Sequence, residues 1–478
     1  MNPLDELRTE LGPDAVLDQL TDMAAYLTDW RGRYQGRARA VVLPRSTAGV
    51  AAAVRWCARH GLPLVPQGGN TGLVGGATPD PDGTAIVLCT RRLDRIREVD
   101  TVNDTITVEA GCVLQAVQEA ARAHGRLFPL SLAAQGSCTI GGNLATNAGG
   151  TQVLRYGNAR DLTLGLEVVL PDGQVWNGLR ALRKDNAGYD LKQLFIGSEG
   201  TLGLITAACL RLFPAPRERI VCLLALPSLD AALSLLGRAR LAAGPALTAF
   251  ELMSGDCLAL VRDQLPDLGK LPLSLEPGRP WFALLEWSLY ADATAEPPQG
   301  VNAGRESCLA LCAAALAAGL ALDAVVGQSL AQGDALWQLR EAIPAAQARA
   351  GGNVKHDISL PLAVLPEFVE RVCRTLAAQF ANLQPLIFGH LGDGNLHFNV
   401  AAAKGVPASQ AFAQETAIND VVYRELTHYG GSTSAEHGVG QLRRALLREH
   451  RSQIEWQLMH RIKQALDPEG RMNPGKVL

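Results

Sequence analysis

Two histidines, His390 and His397, flank an Asp393-Gly394 pair in the string FGHLGDGNLHFNV. Asp-Gly between apolar runs is a strong hairpin signal. With a two-residue turn there, residue 391 pairs with 396, and His390 stands opposite His397 on one face. Opposed Cβ atoms in a sheet lie about 4.5–5.5 Å apart, close enough for two imidazoles to share a metal ion. Further along, Glu436 and His437 sit side by side in SAEHGVG. Two histidines and one carboxylate make a common catalytic zinc set, with positions left for substrate or water. A lone histidine is more often a satisfied structural residue. The hairpin geometry and the Glu-His pair together favour the ligand reading. No HExxH occurs, so a zincin peptidase is not supported.

The other chemistry-bearing features are two Gly-rich loops, PQGGNTGLVGG (66–76) and GSCTIGGNLATNAGG (136–150). Glycine permits close backbone approach and positive φ. Successive exposed N–H groups make an anion nest suited to phosphate. Surface turns rarely gather so many Gly, Asn and Thr without charge. Neither loop contains GxGxxG or GxxxxGK[ST], which weighs against a Rossmann site and a nucleoside triphosphatase. Two separated cradles suit a dinucleotide whose pyrophosphate runs between them.

The elements that must position these residues alternate along the chain. Residues 1–38 read as a helical lead-in. RAVVLP is a strand, Ser46 caps a helix through His60, and LPLVPQ, AIVLCT and ITVEAGC are further strands. Residues 113–125 form an amphipathic helix ending on Gly125, and Pro171-Asp172-Gly173 turns a hairpin. A long strand over 202–213 runs into RLFPAPRER, a first domain boundary. A second α+β unit follows, with a helix predicted around 335–350, and the chain turns mainly helical from about Gly405. The organisation expected is a lead-in (1–38), a cofactor domain (39–214), a cap of antiparallel sheet with helices (215–405) and a helical segment (406–478) that returns to the cofactor.

At 478 residues the chain needs more than one core. A net charge of -3 argues against nucleic acid as a partner. The ten cysteines are scattered without CxxC, several in apolar runs, and read as small core residues. The N-terminal MNPLDELRTELG lacks the basic and apolar regions of a signal peptide. The apolar stretch 308–322 is shorter than the ~20 residues of a membrane span. A cytoplasmic protein with no transmembrane segment is expected. The sequence leaves the oligomeric state open, a homodimer included.

Residues 39–214 resemble the FAD-binding domain of the vanillyl-alcohol oxidase and p-cresol methylhydroxylase superfamily. The strings that carry this are the two loops, LRYGNARDL (154–162) and IGSEGTLGLIT (196–206). Over nearly its whole length the chain resembles the D-2-hydroxyglutarate and D-lactate dehydrogenase group. The resemblance implies the two-subdomain FAD fold of that superfamily, α+β in class. It implies FAD contacts at Gly68, Gly69, Asn70, Thr71, Gly75, Gly136, Ser137, Gly141, Gly142, Asn143, Thr146, Asn147, Gly203 and Ile205. Neither loop holds a histidine, so FAD is expected to bind non-covalently. The family positions matching His390, His397 and Glu436 bind a divalent metal, commonly Zn²⁺. The position of His437 is the base, and those of Arg340, Lys355 and Asn399 contact substrate. Taken singly, Arg340 and Lys355 would read as solvated surface charges.

One departure stands out. The dicarboxylate pattern has a threonine one turn after the arginine, where this chain has Pro344. Proline removes a hydroxyl donor, and inside a helix it would clash with the Arg340 carbonyl. The expected reaction is FAD-dependent oxidation of a D-2-hydroxy acid, D-2-hydroxyglutarate first, with D-lactate or D-malate as alternatives. Electrons would pass to an electron-transfer flavoprotein or a quinone. The rival classes are a metal-dependent hydrolase and a non-catalytic FAD-binding subunit.

Overall fold

The structure, a computed structural model, describes residues 3–268, 271–275, 280–290 and 299–478, with 299–302 given by backbone alone. The chain divides into two compact units. The first comprises residues 1–149, 157–215 and 436–478, and the second 150–156 and 216–435.

In the first unit, β1 (Val16–Leu17), β2 (Ala40–Val42), β3 (Leu64–Gln67) and β4 (Ile86–Cys89) form one sheet in the order β1-β2-β4-β3. β4 runs parallel to both β2 and β3. A second, antiparallel sheet has the order β5-β6-β10-β8-β9. Its strands are β5 (Ile96–Asp100), β6 (Thr105–Glu109), β8 (Thr163–Val169), β9 (Val175–Gly178) and β10 (Leu204–Arg211). β7 (Arg126–Leu127) pairs with β11 (Phe213–Pro214). The helix Thr47–Arg59 starts where Ser46 Oγ accepts the Gly49 N–H at 3.1 Å. It buries Val50, Ala51, Val54, Trp56 and Cys57 in one core cluster with Ile86 and Leu88 of the first sheet and Val169 and Leu204 of the second. A helix apolar on nearly every side is what packing between two sheets requires. β5 escapes the sequence pattern because IREVD is a charged, exposed edge strand.

The second unit is a seven-stranded sheet in the order β15-β12-β14-β13-β17-β18-β16, with every neighbouring pair antiparallel. Its strands are β12 (Glu218–Leu226), β13 (Leu247–Ser254), β14 (Trp281–Leu289), β15 (Asp323–Val326), β16 (Asp357–Ser359), β17 (Leu383–Gly389) and β18 (Asn395–Ala402). Its helices include Leu229–Ala243, Gln299–Ala317 and Leu365–Gln379. The single helix expected around 335–350 is two, Leu330–Glu341 and Ile343–Arg349. The break at Ala342 puts Pro344 in the first turn of the second helix, where its missing N–H costs nothing. The clash with the Arg340 carbonyl therefore does not arise.

Candidate active site

β3 delivers the first Gly-rich loop, and the short helix Ile140–Ala145 carries the second. The loops pack directly on each other. A Cβ on Gly68 would stand 2.4 Å from Thr139 Oγ1, and one on Gly69 would stand 2.2 Å from the Ser137 carbonyl. At these two positions glycine serves loop-on-loop contact. Space for a ligand opens at Gly72, where an added Cβ would meet nothing within 4 Å. A cavity of about 320 Å³ lies between the loops and the residues leading into β10. It is lined by Gly68, Gly69, Asn70, Thr71, Gly141, Gly142, Asn143, Thr146, Gly203 and Ile205 of the expected FAD set. Gly75, Gly136, Ser137 and Asn147 stand outside that lining. Gly75 packs on the Tyr34 ring, and Asn147 Oδ1 accepts the Arg160 N–H at 3.0 Å.

The lining fits a polar dinucleotide. Thr139 Oγ1 and Asn143 Nδ2 are buried there and meet no oxygen or nitrogen partner among the described residues. Buried polar atoms need partners, and a ligand edge supplies them. Cys138 also lines the cavity, and burial pushes its thiol pKa up. A protonated thiol is a poor nucleophile.

The same cavity wall carries Glu436 and His437. The turn that follows them is held by Glu199, a residue that sequence reasoning does not single out. Glu199 Oε1 accepts the Val439 N–H at 2.6 Å and Oε2 accepts the Gly440 N–H at 2.8 Å. Its own N–H donates to Ala145 O, and its carbonyl accepts from Asn473 Nδ2. These bonds hold Glu199 at φ 51, a conformation that costs a non-glycine residue of order 1–3 kcal/mol. Burial raises its pKa to about 6, against the pull of the two N–H donors and Arg443. Only the GSEGT string hints at it, and a Glu in such a turn reads as solvated.

In the second unit the β17–β18 hairpin differs from the two-residue turn. Leu391–Asp393 form a 3-10 turn closed by Gly394 at φ 82, and the ladder sets Phe388 opposite His397. His390 is thus two places beyond the partner position. Side chains alternate with period two, so a shift of two keeps the face. The His390 and His397 rings accordingly lie 5.7 Å apart, centroid to centroid, at 78°.

Behind them sits Glu251 on β13, fully buried and also unforeseen. Its Oε1 lies 2.7 Å from His390 Nδ1, and its Oε2 accepts from Arg340 Nε at 2.8 Å. Burial opposes the charge on Glu251, but the pull of His390 and Arg340 wins and lowers its pKa. A carboxylate on Nδ1 fixes the ring and turns Nε2 outward, the usual support of a metal-binding histidine. Arg340 is buried, not solvated, with its guanidinium 4.8 Å from the Phe388 ring centroid.

The strand expected at KHDISLP narrows to β16. Val354 pairs with Val400 and Asp357 with His397 in one register, so exposed Lys355 stands opposite Asn399. Lys355, Asp357, His397 and Asn399 therefore share a face. Asn399 is buried, with Oδ1 accepting the His356 N–H and Nδ2 donating to Gln347. The Ala435 N–H donates to Asp357 O at 3.2 Å, which ties the end of this unit to β16.

Comparison with known proteins gives these arrangements a context. Residues 38–178 match a family described as FAD binding domain, and residues 215–477 one described as FAD linked oxidases, C-terminal domain. The chain is 39% identical to the mitochondrial D-2-hydroxyglutarate dehydrogenase of Bos taurus, over 98% of this chain and 81% of that protein. It is 37% identical to the D-2-hydroxyglutarate dehydrogenase of Xanthomonas citri pv. viticola, over 95% of this chain and 92% of that protein. For the enzyme of the same name from Stutzerimonas stutzeri the figures are 34%, 99% and 98%. Among solved structures, p-cresol methylhydroxylase with substrate bound shares the fold at a TM-score of 0.75 and 15% identity, covering 99% of this chain and 96% of that one. An alkyldihydroxyacetonephosphate synthase does so at 0.72 and 18%, covering 99% and 84%. The chain belongs to the FAD-linked oxidases, flavin-dependent oxidoreductases with the p-cresol methylhydroxylase type of fold.

Proposed function

We propose that the chain oxidises D-2-hydroxyglutarate to 2-oxoglutarate, with FAD in the loop-lined cavity and a divalent metal, Zn²⁺ by ligand preference, on His390, His397 and Glu436. The observation that carries this reading is the presence of Glu436 and His437 on the wall of the cavity that the two Gly-rich loops enclose. Bound FAD supplies a two-electron acceptor for the hydrogen on the substrate's C2. The metal supplies a Lewis acid that lowers the pKa of the 2-hydroxyl.

The protein's own groups do the rest. His437 receives the hydroxyl proton, a task suited to an imidazole near neutral pH. Lys355 offers a point charge to a carboxylate, and Arg340 offers the guanidinium N–H groups other than Nε. Glu251 holds both Arg340 and His390, so anion anchor and metal ligand are set by one buried carboxylate. The match to relatives named D-2-hydroxyglutarate dehydrogenase over nearly the whole chain favours this reading over a metal hydrolase or a non-catalytic subunit. Pro344 keeps D-malate and D-lactate as comparison substrates. The reduced flavin would pass its electrons to an electron-transfer flavoprotein or a quinone. All ten cysteines are free thiols, in keeping with a reducing, cytoplasmic setting. Among the described residues no helix is long and apolar enough to cross a membrane.

The test is dye reduction by the FAD- and zinc-loaded protein with the three D-2-hydroxy acids. D-2-hydroxyglutarate should give the highest kcat/KM, and His437→Ala should lower kcat by roughly 100-fold or more while flavin stays bound. A purified protein without flavin absorbance, or His437→Ala at full activity, refutes the reading.

A further inference from the structure

A third cluster in the second unit uses none of the residues of the flavin loops or the paired histidines. Cys222 is on β12, where Val221 and Leu223 belong to the core on the opposite face with Leu336 and Trp337. Alternation therefore turns Cys222 to the other side, toward the helix Gln299–Ala317 that packs on β12. Cys308 and Cys312 sit four positions apart on that helix, on one face. The three sulfurs all lie within 4.8 Å of one another, and all three residues are buried. Helical spacing brings Cys308 and Cys312 together, but nothing along the chain signals that Cys222 joins them.

Soft thiolates select soft cations. Structural zinc takes four ligands, and among the described residues this group offers three. We propose that Cys222, Cys308 and Cys312 form a trigonal thiolate site for one copper(I) ion. Binding replaces thiol protons by the cation with no change of oxidation state, so copper must arrive as Cu(I) and protons leave to solvent. The site closes the sheet face onto the helix and is built from none of the catalytic groups.

The test is an anaerobic titration of the reduced, FAD-loaded protein with Cu(I) against a competing chelator, followed by thiolate-to-copper absorption in the ultraviolet. One equivalent should bind. Cys308→Ala should weaken it by more than ~100-fold, beyond the 10–100-fold typical of losing an outer partner. Cys257→Ala and His397→Ala should leave it unchanged. X-ray absorption on the unaltered copper-loaded protein should show a shell of three sulfurs. Absence of a tight equivalent, equal binding by Cys308→Ala, or a shell containing nitrogen overturns the proposal, and the absorption measurement decides the matter even if a variant fails to fold.

Discussion

At the residue scale, two buried glutamates do opposite things with their charge. Glu251 is kept ionised by Arg340 and His390 despite complete burial. The Glu199 carboxylate accepts from two backbone N–H groups, and burial raises its pKa from 4.5 to about 6. Glu251→Gln keeps the shape but removes the charge behind the His390 ring. Metal affinity should fall roughly 10–100-fold with flavin content unchanged, as read by zinc titration and the flavin spectrum. Loss of flavin with metal affinity intact would contradict this role. For Glu199 the raised pKa means that the folded state binds the proton more tightly than the unfolded chain. Its contribution to stability is thus complete below about pH 4.5 and is lost as pH rises through about 6. Each tenfold difference in proton affinity between the folded and unfolded chain is worth about 1.4 kcal/mol. Measured against Glu199→Gln, the unaltered protein should therefore lose roughly 2 kcal/mol across that window. Urea melts of the two proteins at matched pH values would show it, and parallel curves would rule it out. Neither glutamate was legible in the sequence. Glu251 lies far along the chain from His390 in the apolar run LTAFELMS, and only the sheet order brings β13 beside β17. His390, His397 and the Glu436-His437 pair were legible because residue type and spacing carry them.

At the element scale, the facing histidines survive an error in the turn because sheet periodicity is two and the error is two residues. A shift of one would have put them on opposite faces. The Gly-rich loops show where composition misleads. Their glycines read as room for a ligand, but Gly68 and Gly69 serve contact between the loops themselves. Only packing between segments distant in sequence reveals which use applies. Gly69→Ala would place a methyl 2.2 Å from the Ser137 carbonyl, a backbone atom with little freedom to yield. Overpacking of this kind costs typically 1–3 kcal/mol. The expected outcome is loss of that stability in the flavin-free protein and release of FAD on gel filtration. Gly72→Ala, facing open space, should leave the flavin-free stability within about 1 kcal/mol. Equal losses in the two variants would mean that loop-on-loop contact is not what Gly69 provides.

At the scale of the whole molecule, alternating strands and helices were readable, and so was the antiparallel character of the second unit. The return of the C-terminal segment to the first unit was expected, and what local patterns could not carry is which residues it meets there. Leu64, at the start of β3, donates to the Arg471 carbonyl, and Asn473 N–H donates to the Leu64 carbonyl at 2.8 Å. Met472, between them, is 1% exposed and belongs to the core cluster of Trp56, Leu64 and Ile86. Asn473 Nδ2 also donates to the carbonyls of Gly76 and Glu199. This segment therefore clamps β3, whose other end issues the first Gly-rich loop, and it holds the residue that fixes the turn after His437. Folding of this unit cannot finish until residues some 400 positions apart have met, a costly long-range closure. Met472→Ala should destabilise the unit by about 2–5 kcal/mol, as large-to-small core changes do. Because the lost packing lies under β3, FAD affinity should fall with stability, read as flavin fluorescence released at lower urea than in the unaltered protein. The seven-stranded sheet is a separate core, so its unfolding should move less. Simultaneous loss of both units at one urea concentration would show that the two cores unfold as a single cooperative block and would refute this division of stability.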